Sequence, residues 1–162
     1  MLTYNIDMQN TDDFFMLEAL KEASRASEKD EVPVGAVIVH KGRIIARAYN
    51  QIKMLKDPTA HAEMIAITQA AAHLQTERIL DTTIYVTVEP CAMCAGALVL
   101  GRVKKIVYGT EDPKTGACGS VMNVANNKKL NHQIEIIGGF HREDCASLLH
   151  EFFKKKRTKA DF

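Results

Sequence analysis

Two short clusters hold most of the chemistry in this chain. His61-Ala62-Glu63 supplies an imidazole and a carboxylate, and Glu89-Pro90-Cys91-Ala92-Met93-Cys94 supplies two thiols further along. Imidazole and thiolate ligands suit zinc, which brings no redox chemistry of its own. Zinc held by three protein ligands keeps a fourth position for water, the arrangement of catalytic sites. Glu63 is then surplus to the metal and placed to move protons. His61, Cys91 and Cys94 as ligands with Glu63 as acid-base group therefore point to hydrolysis on one zinc ion per chain. A closed structural site would need a fourth ligand from Cys118, Cys145 or another histidine, and none of these forms a second paired motif. A redox Cys-x-x-Cys would leave His61 and Glu63 without a role.

These residues must be positioned by the elements around them. Cys91 and Cys94 are three apart and fall on one face of a helical turn. The β-branched and aromatic run 83–88 before them reads as a strand, and 92–100 after them as a helix. The thiols thus sit at a helix N-terminus, which favours thiolate. His61 follows the helix-start signal Asp57-Pro58-Thr59, and a helix is expected over about 60–74. Upstream, Thr11 is expected to cap a helix with Met16, Leu17, Leu20, Ala23 and Ser24 facing the core. Strands are expected at 34–39 and 43–49, joined by a tight turn at Lys41-Gly42, and 50–58 reads as a loop. Further strands are expected at 104–108 and 133–137, with a polar loop at 110–119 between them. Residues 1–10 show no period and are expected to be loosely held. A hairpin followed by alternating helix and strand reads as one layered α/β domain over 1–162. Its last element is a helix with a basic tail at 142–159.

Composition narrows the setting. At 162 residues the chain can bury one substantial core, and 46% hydrophobic with 25% charged residues is ordinary for a globular protein. No apolar run approaches a membrane span, and the N-terminus lacks the basic start and apolar stretch of a signal peptide. Four cysteines, two of them committed to metal, fit a reducing cytoplasm better than a disulfide framework. With a formal net charge of only +1, nucleic-acid binding would need a local basic patch.

The chain resembles the cytidine deaminase superfamily and, within it, the bacterial tRNA-specific adenosine deaminases. The zinc motifs identify only the superfamily. The narrower resemblance rests on Val32-Pro33-Val34-Gly35-Ala36, Asn50, Asp57-Pro58-Thr59-Ala60-His61-Ala62-Glu63 and the run from Tyr85 to Ala97. It continues through Asp112-Pro113-Lys114-Thr115-Gly116, Asn131-His132 and Phe152-Phe153-Lys154-Lys155-Lys156-Arg157. The resemblance implies a five-stranded mixed sheet in a three-layer α/β/α sandwich, a homodimer, and conversion of a wobble adenosine in a tRNA anticodon loop to inosine.

On that resemblance Glu63 would carry protons from the attacking water to the purine ring and the leaving amine. Asn50 would hydrogen-bond the extruded base, with Val34 and the Ala62 amide lining its pocket. Asp112 and Lys114 would contact flanking nucleotides, Asp112 by accepting from a ribose 2′-hydroxyl. Phe153, Lys156 and Arg157 would meet the RNA backbone and bases. Plainer readings stand beside these. Asn50 and Asp112-Pro113 can be loop and turn residues, the basic tail a solvated helix end, and Phe152 and Phe153 core. His73, His132, His141 and His150 read as structural or surface residues. Cys118 and Asn123 stand where the family would have alanine and aspartate, and Cys118 reads as a small buried hydrophobe. Guanine deaminase or another free-base or nucleoside deaminase is the alternative enzyme. A nucleic-acid-binding module with structural zinc is the alternative from a different class. Phosphate-binding cations speak against the first, and the surplus carboxylate of Glu63 against the second.

Overall fold

The computed structural model of the chain describes residues 7–160. Helix α1 (Asp7–Glu28) leads into a hairpin of β1 (Gly35–His40) and β2 (Arg43–Tyr49). Its turn residues Lys41 and Gly42 both have positive φ, 50° and 74°, the two-residue geometry that suits the twist of paired strands. The chain continues through α2 (Ile52–Leu55), α3 (Ala62–Leu74), β3 (Thr82–Val88), α4 (Ala92–Leu100), β4 (Lys105–Thr110), β5 (Glu135–Gly138) and α5 (Arg142–Ala160). The strands form one mixed sheet in the order β2-β1-β3-β4-β5. β1 is antiparallel to β2 and β3, while β4 runs parallel to β3 and β5.

Alternation along the strands divides the core in two. Ala36 and Ile38 of β1, Ile84 and Val86 of β3 and Ile106 of β4 pack with Ala66 and Ala70 of α3 and Ala95 and Leu98 of α4. Val37 and Val39, Tyr85 and Val107 point the other way, onto Phe15, Met16 and Ala19 of α1 and Cys145 of α5. Apolar residues on both faces are what a covered central sheet requires. The result is the three-layer α/β/α sandwich. Gly35 lets α1 lie directly on β1, because a Cβ there would overlap the Ala19 and Ala23 backbone.

Three local expectations change. α1 is already helical at Asp7, so Thr11 lies inside it and does not start it. No breaker separates residues 7–10 from the helix that follows. The buried stripe of α1 is Phe15, Met16, Ala19, Ala23 and Ala26, while Leu17 and Ser24 face solvent. Glu18 and Glu22 take buried places, Glu18 on Arg47 and Lys21 and Glu22 on Arg25. The segment after Asn50 holds the single helical turn α2, too short to leave a periodic pattern. It is held by the Met54 N–H donating to the buried Glu31 carboxylate at 2.7 Å.

Candidate active site

Two helix starts converge on the carboxyl end of β3. His61 is the N-cap of α3 and Cys91 the N-cap of α4, each with extended backbone and no side-chain capping bond. Their side chains are therefore free to face each other. His61 Nδ1 lies 3.7 Å from Cys91 Sγ and 3.5 Å from Cys94 Sγ. Tetrahedral zinc with ordinary zinc–sulfur and zinc–nitrogen bonds separates such ligand atoms by about 3.6 Å. The trio is thus already set to the spacing zinc demands, with Nδ1 as the ligating nitrogen, and it is the zinc site of this chain. All three ligand atoms lie within 4.8 Å of one another, the one such group among the described residues.

The electrostatics agree with that assignment. Hydrogen bonds from the Cys94 thiol and the His61 ring draw Cys91 down to about 4. Cys94 is pushed up by its bond to Cys91 and by burial. Zinc binds thiolates, so metal binding would release the proton that remains on the pair. The bond to Cys91 raises His61 against the opposing effect of its burial. Glu63 is 3% exposed, and its Oε1 has no hydrogen-bond partner among the described residues. Burial raises its pKa above the usual carboxylate range. A buried carboxylate with one unpartnered oxygen beside a metal site is costly to the fold, and such groups mark functional sites.

These groups open into a cavity of about 220 Å³ lined by Val32, Val34, Asn50, Ile52, Val88 and Glu89 as well as His61, Glu63 and Cys91. Asn50 is buried, and its Oδ1 accepts the Ala62 N–H at 2.8 Å. The Ala62 amide therefore orients Asn50, which keeps its own NH2 for the cavity. Asp112 and Thr115 close the rim.

The rim continues into a wider groove of about 570 Å³. It shares Val32, Val34, Val88, Asp112 and Thr115 with the inner cavity and adds Lys114, Leu149, His150, Phe153 and Arg157. Phe153 is 43% exposed there while Phe152 is buried, so the paired aromatics divide between groove and core. Asp112 folds back on its own loop. Its Oδ1 accepts the N–H groups of Lys114 at 2.9 Å and Thr115 at 3.1 Å, and its Oδ2 accepts the Thr115 hydroxyl at 2.7 Å. Burial pushes the Asp112 pKa up, but these bonds outweigh it and hold it below the usual value. That is the turn-starting role set beside the sugar contact. Lys156, expected beside Arg157 on the substrate, lies elsewhere: its ammonium pairs with Asp30 at 2.6 Å and sits over the Phe152 ring. One helical step separates it from Arg157, enough to direct it to the turn that follows α1.

Sequence reasoning gave no role in the cleft to Glu89, Val32, Ile52, Val88 or Thr115, and His150, read as structural or surface, lines the outer groove. Glu89 carried a usable signal, being a lone charge at the end of a buried strand, which needs partners. The others are ordinary residues that only the fold brings to the cleft.

Comparison with known proteins agrees with this geometry. The tRNA-specific adenosine deaminase of Bacillus subtilis (strain 168) is 49% identical over 148 residues, which cover 91% of this chain and 92% of that protein. A solved structure from studies of A-to-I editing by tRNA:A34 deaminases at the wobble position of transfer RNA is 42% identical. It superimposes with a TM-score of 0.81 over 84% of this chain and 99% of its own. A guanine deaminase from Bacillus subtilis fits less well, with a TM-score of 0.58 and 38% identity over 60% of this chain and 63% of its own. The family described as MafB19-like deaminase matches residues 9–157. Since that match spans every residue of the cleft, from Val32 to Arg157, and the half-identical relative covers nearly the whole chain, this chain belongs to the tRNA-specific adenosine deaminases of the cytidine deaminase-like superfamily.

Proposed function

We infer that this protein deaminates the wobble adenosine of a tRNA anticodon loop to inosine, with water as co-substrate and ammonia as the second product. The observation that carries the reading is the continuity of the two cavities. A pocket sized for one base holds the zinc ligands and Glu63, and it opens through a shared rim into a groove with Phe153, Lys114 and Arg157. A free base would use only the inner pocket. A base on a strand also needs room and cations for its neighbours.

The residues divide the work. His61, Cys91 and Cys94 would hold zinc, which when bound supplies the Lewis acidity that brings a water molecule's pKa towards neutrality. Glu63 Oε1 takes a proton from the attacking water and delivers it to purine N1. It then passes the second water proton to the departing 6-amino group, which leaves as ammonia. Asn50 donates its NH2 to a ring acceptor of the base, while Val34 and Ile52 pack its faces. The groove residues act on the flanking nucleotides: Phe153 offers a stacking surface and Arg157 a phosphate contact, with Lys114 and Asp112 at the rim.

A homodimer and a cytoplasmic setting belong to the same reading. Met54 and Leu55 of α2 and Leu100 at the end of α4 are large apolar side chains left exposed, and Leu55 shares an open groove with Met64 and Ile65 of α3. All four cysteines are free thiols. No helix among the described residues is long and apolar enough to cross a membrane.

Ammonia release from an anticodon stem-loop, from free guanine and from cytidine tests the function. The stem-loop is the expected substrate, and turnover confined to guanine would replace it with the free-base reading.

A further inference from the structure

Segment 111–120 follows β4 and brings Asp112, Lys114 and Thr115 to the cleft without lying in any helix or strand of its own. Its anchor is Glu89, the last residue before Pro90 and the ligand Cys91. Glu89 is 3% exposed, and its carboxylate accepts four hydrogen bonds, all from this loop. The Asp112 N–H reaches Oε1 at 3.2 Å, and the Cys118 and Ser120 N–H groups reach Oε2 at 3.0 and 3.1 Å. The Ser120 hydroxyl donates closely to Oε1. No lysine or arginine among the described residues pairs with it, so the loop donors alone offset the cost of burying this carboxylate.

The backbone is arranged around that contact. A Cβ on Gly116 would lie 2.5 Å from the Glu89 carboxylate and from the Asp112 carbonyl oxygen, so only glycine lets the loop close here. Gly116 forms a β-bridge with Cys91, and the Ala117 N–H donates to the Pro90 carbonyl at 2.8 Å. The loop is thereby fastened to the residues that lead into the metal ligand.

We propose that Glu89 is the positioning residue of this enzyme's substrate loop, holding residues 111–120 closed so that the outer groove can bind the nucleotides beside the reacting base. The role rests on the tRNA reading above and deepens it. Both carboxylate oxygens of Glu89 are committed to the loop, so its loss is felt mainly in binding of the strand. An amide in its place keeps the volume but presents N–H groups to N–H donors, and breaks about half of the contacts. Ser120→Ala removes one hydroxyl contact and alters neither cavity.

The test uses full-length, zinc-loaded protein and the variants Glu89→Gln and Ser120→Ala. Zinc per chain, amide hydrogen exchange and steady-state kinetics on an anticodon stem-loop are measured for each. In Glu89→Gln the zinc content stays at one per chain, and the amides of 112–120 exchange about tenfold faster or more. The amides of β3 and α4 do not change. KM for the stem-loop rises about tenfold with a much smaller change in kcat, and Ser120→Ala moves both readouts in the same direction by less. Unchanged loop exchange, acceleration spread evenly over the molecule, or a fall in kcat or zinc content with KM constant would overturn the proposal. If the wild-type protein leaves the stem-loop untouched, the functional reading fails, and the exchange comparison alone still decides whether Glu89 anchors the loop.

Discussion

The Oδ1 of Asn50 accepts the backbone N–H of Ala62 at 2.8 Å, which joins the end of the β1–β2 hairpin to the first turn of α3. Ala62 lies between the ligand His61 and Glu63, so this one bond sets the direction of both. Asn50→Ala leaves the Ala62 N–H buried and unpaired, a loss of about 1–3 kcal/mol. The expected result is a lower melting temperature together with a reduced kcat/KM on the stem-loop. Thermal unfolding and kinetics on the same preparation check it, and a change in only one of the two would separate Asn50 the scaffold from Asn50 the base contact.

Glu63→Gln is expected to retain zinc and the fold while kcat falls by about 10²–10⁴-fold. The same change should not lower the melting temperature, because a buried carboxylate with an unpartnered oxygen is exchanged for a neutral amide. Single-turnover rates near those of the natural protein would assign the proton transfer elsewhere.

Cys94→Ala removes a buried ligand from a set of three, and the expected outcome is loss of both zinc and activity. In the natural protein zinc should also be released as pH falls, because imidazole and thiolates bind metal only when deprotonated. Metal content after dialysis across a pH series measures both effects. A variant that keeps one zinc per chain would remove Cys94 from the ligand set.

The basic tail is expected to divide by residue. Phe153→Ala and Arg157→Ala should weaken stem-loop binding, with Arg157→Ala reducing the log–log salt slope by roughly 0.7 to 0.9. Lys156→Ala should leave that slope unaltered and lower the melting temperature, since Lys156 pairs with Asp30. Binding isotherms at several salt concentrations distinguish the two classes.

Asp30 receives Lys156 of α5 at 2.6 Å and Lys53 of α2 at 3.2 Å, and these bonds lower its pKa from 3.8. A depressed carboxylate pKa stabilises the fold above the unfolded value and loses that contribution as pH falls through the folded one. Asp30→Asn should therefore melt below the natural protein at neutral pH. The difference should close as pH drops below 3.8, read from melting curves in matched buffers. A gap that stays constant with pH would mean that charge is not what Asp30 contributes.

How far the sequence reached depends on the physical range of each signal. The zinc trio and Glu63 were legible because metal chemistry restricts residue type and spacing together. The strands were legible because β1, β3 and β4 are apolar on both faces, and α4 because it follows directly on the thiols. α2 left no trace, since one turn contains no period. The phase of α1 slipped because Leu17 is as apolar as Ala19, and only packing against β1 decides which is buried. Lys156 and Arg157 are indistinguishable as neighbouring cations until the turn after α1 supplies Asp30 as a partner for one of them. Glu89 was legible as a charge in need of partners, but the partners lie more than twenty residues away and only the fold names them.

The placement of the metal ligands also orders events during folding. Cys91 and Cys94 are joined by a single helical turn and can meet a cation as soon as α4 starts. His61 belongs to a different layer of the chain's history: it stays apart until β3 has docked antiparallel beside β1 and α3 has settled across the hairpin. The third ligand thus arrives only with the long-range sheet pairing, the slow kind of contact. Tight metal capture is therefore expected to be a late event, with the centre of the sheet assembled before the coordination is complete.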